Sequence, residues 1–325
     1  MSKNSSRLSS LLVLLVVLFW GVLTGPSCAT SATESGVPSG DTAVSLLGGV
    51  HPPLRLDPAV KRQREAELQA ARSRLAAYDG DRDSWIWVGR RLAYLGRFRE
   101  ALDVYSAALL RFPEDPRLLR HRGHRHLTLR ELDAARDDLA RAARAIATLP
   151  NEVEEDGLPN PRNEPRTTLH GNVWYHLGLA EYLLGHDAEA LAAWDRARSI
   201  AGNDDAWVAS AYWSVLASWR VGADPRPILA EVTPTMDLLE NHTYHTLLLV
   251  FRGDVDAAPL RSAVLDPDAP GSVDLATLGY GLAAHALATG DPATGQSLCR
   301  AVLRSPAWNA FGYLAAEATL THLPD

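Results

Sequence analysis

Residues 82–113 read RDSWIWVGRRLAYLGRFREALDVYSAALLRFP, and their spacing decides the fold. With Arg82 as the first position, Trp85 falls at 4, Val88 at 7, Gly89 at 8 and Leu92 at 11. Ala101 falls at 20, Tyr105 at 24, Ala108 at 27 and Pro113 at 32. Small residues at 8 and 20 stand where two helices of one hairpin cross, because only a small side chain lets the backbones approach that closely. Trp85 and Tyr105 fill the space on either side, and Pro113 ends the second helix because its ring cannot continue one.

The pattern returns one period later as Leu119, Gly123, Ala135, Leu139 and Ala142, and again as Trp174, Leu177, Gly178, Ala190, Trp194 and Ala197. This arrangement resembles the tetratricopeptide repeat, whose period is about 34 residues. The resemblance implies an all-α solenoid of helical hairpins wound as a right-handed superhelix, with clear repeats at 82–115, 116–149 and 171–204. The third repeat starts late, which makes 149–170 an inserted loop broken by Pro150, Gly157, Pro159, Pro161 and Pro165. Beyond Ala201 the motif decays, but turns at Gly222, Gly253 and Gly290 separate further apolar-periodic stretches. The expectation is about six helical pairs, the last three degenerate, closed by a helix from Trp308 to Leu320.

Working outward, Ala59 to Tyr78 places Leu68, Ala71 and Leu75 on one face, an amphipathic helix suited to capping the stack within a repeat domain at 59–325. Residues 33–58, rich in Ser, Gly, Thr and Pro, read as a flexible tether. Residues 1–32 read as an export signal: Lys3 and Arg7, the apolar run Leu11 to Leu23, then Gly25, Pro26, Ser27, Cys28 and Ala29. Cys28 resembles the acceptor cysteine of bacterial lipoproteins, which implies lipidation there, although Gly25 stands where such signals usually carry Leu or Val. Cleavage near Ala29 or Ala32, or an uncleaved anchor, are the alternatives. Each puts the body outside the cytoplasm, on the periplasmic or cell-surface side of a bacterial membrane.

The 325 residues carry a formal net charge of -7, too mild to suggest nucleic acid as a partner. Cys28 and Cys299 are the two cysteines, far apart, so neither a disulfide framework nor a thiolate zinc site is expected. No GxGxxG, P-loop, HExxH, CxxC or GxSxG motif occurs, so no cofactor and no enzyme activity are expected.

The informative local feature is RLLRHRGHRHLTLR at 117–130, five arginines and three histidines with no acid. The repeat resemblance implies that Arg117, Arg120 and His124 face the groove, flanked by Arg90 and Tyr94 on one side and Asn172 and Tyr175 on the other. Arginine forks recognise carboxylates, so one reading is a groove for an acidic partner protein or peptide in the cell envelope. A solvated basic face is the bland reading. A third is a small-ligand or metal site, possibly catalytic, formed by helix 117–130 and loop 149–170, with His121 and His124 one turn apart as weak metal candidates. Some relatives clamp a C-terminal carboxylate with Lys and Asn at groove positions held here by Ile86, Trp87 and Arg90, then Arg120, His121 and His124, so that clamp is absent. The acidic run Glu152, Glu154, Glu155 and Asp156 is expected to fold back over the groove rim.

Overall fold

The structure, a computed structural model, describes residues 42–323. Among them are fourteen α-helices, in chain order α1 (Pro58–Ala77), α2 (Arg82–Tyr94), α3 (Phe98–Arg111), α4 (Pro116–Thr128) and α5 (Leu132–Ala145). There follow α6 (Leu169–Leu184), α7 (Asp187–Ser199), α8 (Asp204–Val221), α9 (Arg226–Ala230) and α10 (His242–Arg252). Last come α11 (Ala257–Leu265), α12 (Val273–Ala288), α13 (Pro292–Val302) and α14 (Phe311–His322). α2 with α3, α4 with α5, α6 with α7 and α12 with α13 pack as helical hairpins, whereas the short α9 lies against α8 and α10, α10 packs on α8 and α12, and α11 packs on α12 and α13. α1 lies against α2, and α14 stands alone after the last pair.

Local chemistry starts and turns these helices. Asp81, Asp115, Thr168, Asn203 and Ser272 cap α2, α4, α6, α8 and α12, each accepting a hydrogen bond from a first-turn amide. The turns inside the hairpins need a left-handed residue, and Gly96, Gly185, Gly222, Gly253 and Gly290 supply it at φ of 70–89°. In the second hairpin that place belongs to Arg130, at φ 63°.

The hairpin crossings repeat one contact. A β-carbon on Gly89 would collide with the Tyr105 ring. One on Gly123 would lie 2.7 Å from Leu139 Cγ, and one on Gly178 would lie 2.6 Å from Trp194. Tyr105, Leu139 and Trp194 are themselves at most 1% exposed. The absence of a side chain on one helix thus makes room for the largest side chain of the next.

Two expectations are corrected. Residues 42–57 lie in the stretch read as a tether, yet they form an antiparallel hairpin, β1 (Ala43–Val44) with β2 (Val50–His51), followed by the cap of α1. His51 stacks on Trp308 with ring centroids 5.3 Å apart, and Trp308 Nε1 donates to the Pro52 carbonyl at 2.9 Å. Nor is the concave face an open groove, because α14 returns into it and packs on α6 as well as on α12 and α13. Every residue from Gly312 to Thr319 is buried. Gly312 approaches the Ala276 backbone of α12 too closely for any side chain.

α14 is tied in by polar bonds that single hairpins could not make. Glu317, with no exposed surface, accepts from His51 Nε2 at 2.7 Å and from Arg130 Nε at 2.9 Å. Arg130 also donates to the Thr128 carbonyl at 2.6 Å and the Trp308 carbonyl at 2.7 Å. At the far end, Tyr280 OH bonds Thr319 Oγ1 at 3.2 Å and Tyr182 OH at 2.6 Å.

Candidate functional site: a guanidinium rim under an acidic loop

Residues 149–168 leave α5 and return to α6 as the expected loop, closed at its base by backbone bonds. Glu154 N donates to Thr167 O at 3.0 Å, and Leu169 N donates to Glu152 O at 2.8 Å. This pairing fixes the acidic run against the first turns of α2, α4 and α6. Glu152 pairs with Arg117, which also reaches Asp83 at 3.2 Å. Glu154 pairs with Arg120 and accepts from Asn172 Nδ2, so one carboxylate joins α4 to α6.

The Arg120–Glu154 pair is buried on both sides, each side chain 8% exposed. Burial works to raise the Glu154 carboxyl, but the Arg120 charge and the Asn172 bond outweigh it and hold it below its ordinary value. Deleting either partner of such a pair strands a buried charge, at a cost of about 3–5 kcal/mol. Arg120 is therefore a structural residue as well as a candidate binding one.

The remaining residues of the expected site fall in two groups. Arg90 Nη1 donates to the Glu155 carbonyl at 2.9 Å, its Nε and Nη2 reach Tyr94 OH at 3.3 and 3.2 Å, and its guanidinium lies 4.5 Å from the Trp87 ring centre. Arg90 and Arg117, with Trp87, His121, Glu154 and Glu155, line a cavity of about 270 Å³. His124 and Tyr175 face α14 instead: Phe311 lies 5.3 Å from the His124 ring and 6.1 Å from that of Tyr175. Tyr175 OH accepts from Trp213 Nε1 at 2.9 Å and bonds Tyr244 OH at 3.2 Å.

His121, His124 and His176 pack among rings. His124 and His176 rings lie 4.4 Å apart, and His121 stacks on Tyr105. Burial, reinforced by Arg120 and Arg125, pushes all three below the ordinary histidine range, His176 to about 3, so they are neutral at physiological pH. Among the described residues no group of three His, Cys, Asp or Glu is placed to hold a metal ion. Cys28, the lipidation candidate, lies outside the described residues.

Phe311, Glu317, His51 and Arg130 had no local signal as site neighbours. Their role is created by contacts spanning more than a hundred residues of sequence.

A scan against family models matches residues 82–125 to the tetratricopeptide repeat. No curated protein sequence matches the chain. Among solved structures, the chain is similar to YrrB, a TPR protein with an unusual peptide-binding site, at 16% identity and a TM-score of 0.40, over 78% of this chain and 99% of that one. It is also similar to BtubC (BKLC) from P. vanneervenii, at 14% identity and a TM-score of 0.42, over 82% of this chain and 93% of that one. The repeat match falls on α2, α3 and most of α4, whose crossing glycines and spacing recur in the hairpins that follow. Residues 82–125 thus carry a tetratricopeptide repeat, and the described chain is an all-α helical-hairpin solenoid of that type.

Proposed function

We propose that the protein is a binding scaffold, exported and membrane-tethered, that holds an acidic segment of another envelope protein at the rim formed by α2, α4 and the inserted loop. The observation that carries this reading is Arg90. Among the described residues its guanidinium hydrogen-bonds uncharged acceptors, the Glu155 carbonyl and Tyr94 OH, while its charge also acts on the nearby Glu154 and Asp156 carboxyls without a direct bond. A carboxylate in that place would add a full counter-charge, and with it the planar two-oxygen geometry that a guanidinium fork matches. Beside it, Glu152 already occupies Arg117 in the manner of such a ligand. The repeat match supports a scaffold rather than an enzyme, and the helix α14 in the concave face moves the seat from the groove floor to this rim.

A labelled oligoglutamate peptide titrated into the full chain tests the rim. Binding is expected to weaken with salt, as interactions of exposed charges do. Arg90→Ala with Arg117→Ala should lower affinity by about tenfold or more, the equivalent of one or two charged hydrogen bonds. Glu152→Gln, which removes the competitor, should raise it. Equal affinity in wild type and in a normally melting double variant would refute the rim reading. Capture from solubilised membranes with the same variants then identifies the natural partner.

Tethering rests on the apolar run Leu11 to Leu23 and the small residues that follow it up to Cys28, and is tested apart from the rim. No described helix is long and apolar enough to cross a membrane. Cys28→Ser is expected to shift the protein from the membrane to the soluble fraction and to abolish labelling by a fatty-acid precursor. Labelling that survives the substitution would overturn lipidation at Cys28.

A further inference from the structure

A second cavity, of about 280 Å³, lies between the first turns of α6, α8 and α10. This is near the lower end for ligand pockets, about 300–1,000 Å³. The Glu154–Asn172 bond separates it from the rim: Asn172 lines this cavity and Glu154 the other.

Its walls define what fits. One side is made of rings, Tyr175 and His176 from α6, Tyr244 from α10 and Phe311 from α14. Ala206 and Ala209, one turn apart on α8, also line the cavity, with small side chains that take up little of the space. A lining of rings and small alanines suits a flat apolar body.

The positive charge bordering the slot is already committed. Arg166 Nε pairs with Asp205 at 3.0 Å, and its Nη2 donates to the Asp237 carbonyl at 2.8 Å. Asp205 further accepts the amides of Leu239, Glu240 and Asn241 at 2.9–3.0 Å. Glu240 accepts from Asn160 Nδ2 at 2.8 Å. His176 donates from Nδ1 to the Asn172 carbonyl at 2.6 Å, which leaves its neutral Nε2 as an acceptor. An anionic ligand entering here would lose water without finding a free counter-charge, since Arg166 is paired with Asp205, whereas a neutral one with a single donor group would not.

We infer that this cavity is a binding site for a small uncharged aromatic molecule of phenol or indole size, separate from the guanidinium rim. Indole and 4-methylphenol titrated calorimetrically into the full chain are expected to bind saturably and to raise Tm, as any ligand that prefers the folded state does. 4-Hydroxybenzoate, a charged relative, should bind at least about tenfold more weakly. Ala209→Leu fills the slot and should abolish binding of both neutral probes while leaving oligoglutamate binding unchanged. Ala206→Leu fills the same space from the next turn and serves if the first variant melts early. Absence of saturable binding by both neutral probes, or wild-type affinity in a folded, filled variant, or equal affinity for the benzoate, would overturn the assignment.

Discussion

Replacing Glu317 by Gln is expected to destabilise the protein by about 3–5 kcal/mol, because it strands a buried guanidinium. The Arg130 side chain is 2% exposed, and Glu317 is the acid it pairs with. Without that charge, Arg130 retains the Thr128 and Trp308 carbonyls and its position over the Trp308 ring, 5.3 Å from the centroid, none of which neutralises it. Burial lowers the Arg130 pKa and Glu317 works against that, so the pair is held together by the lack of water around it. For Glu317, burial acts to raise the pKa, and the His51 bond and Arg130 charge together bring it below its ordinary value.

The pH dependence follows in sign. A carboxylate whose folded-state pKa is depressed contributes stability that is present above its unfolded value, ordinarily about 4.3, and is lost as pH falls through the folded value. Denaturant melts should therefore show the full gap between wild type and Glu317→Gln at neutral pH, and a narrowing gap below about pH 4.3. A gap that stays constant into acid would mean that the loss comes from shape rather than charge. Arg130 makes the same point from the backbone. A non-glycine residue in the left-handed region costs about 1–2 kcal/mol, and the chain places arginine where the other hairpins have glycine. Arg130→Gly would relieve that strain yet strand Glu317, and a net loss of stability is expected.

The first three hairpins were legible in the sequence because each is a local object. The cap of its first helix, its turn and its crossing pair all lie within one period, so Gly123 with Leu139 and Gly178 with Trp194 can be found by counting. The closing helix was legible as a helix, but its destination was not. Gly312 to Thr319 are buried on every side, and an element without a polar face gives no periodic signal of which neighbour it meets. The same limit applies to the basic stretch 117–130. Counted alone it is a cationic face, yet Arg120 is matched by Glu154, Arg122 by Asp138 at 2.6 Å and Arg130 by Glu317, acids from three different elements. Local charge counting cannot see partners that only folding delivers. The two-residue strands at 43–44 and 50–51 escaped notice for a related reason: their stability derives from the contacts of His51 and Pro52 with α14 and Trp308, not from strand propensity.

Gly89→Leu is the corresponding test of the local code. The position lies at the crossing of α2 and α3, and a β-carbon there already collides with the ring of Tyr105, which is 1% exposed. The ring has no empty volume to move into, since His121 stacks on it at 5.6 Å from the second hairpin. Accommodation therefore requires the two helices to separate, and the disturbance passes to α4. Overpacking a filled core costs about 1–3 kcal/mol, occasionally more, and this site belongs at the upper end because the obstacle is a fully buried ring rather than a flexible tip. Each kcal/mol lowers Tm by about 2–4 °C in domains of about 150–250 residues. Gly80→Leu is the matched control: nothing lies within 4 Å of a β-carbon there, and its φ is one that other residues adopt. It should melt within a degree or so of wild type, as surface substitutions usually fall within about 0.5 kcal/mol. Indistinguishable melting of the two leucine variants would contradict the crossing geometry, and with it the repeat register that places Gly89, Gly123 and Gly178 at equivalent points of successive hairpins.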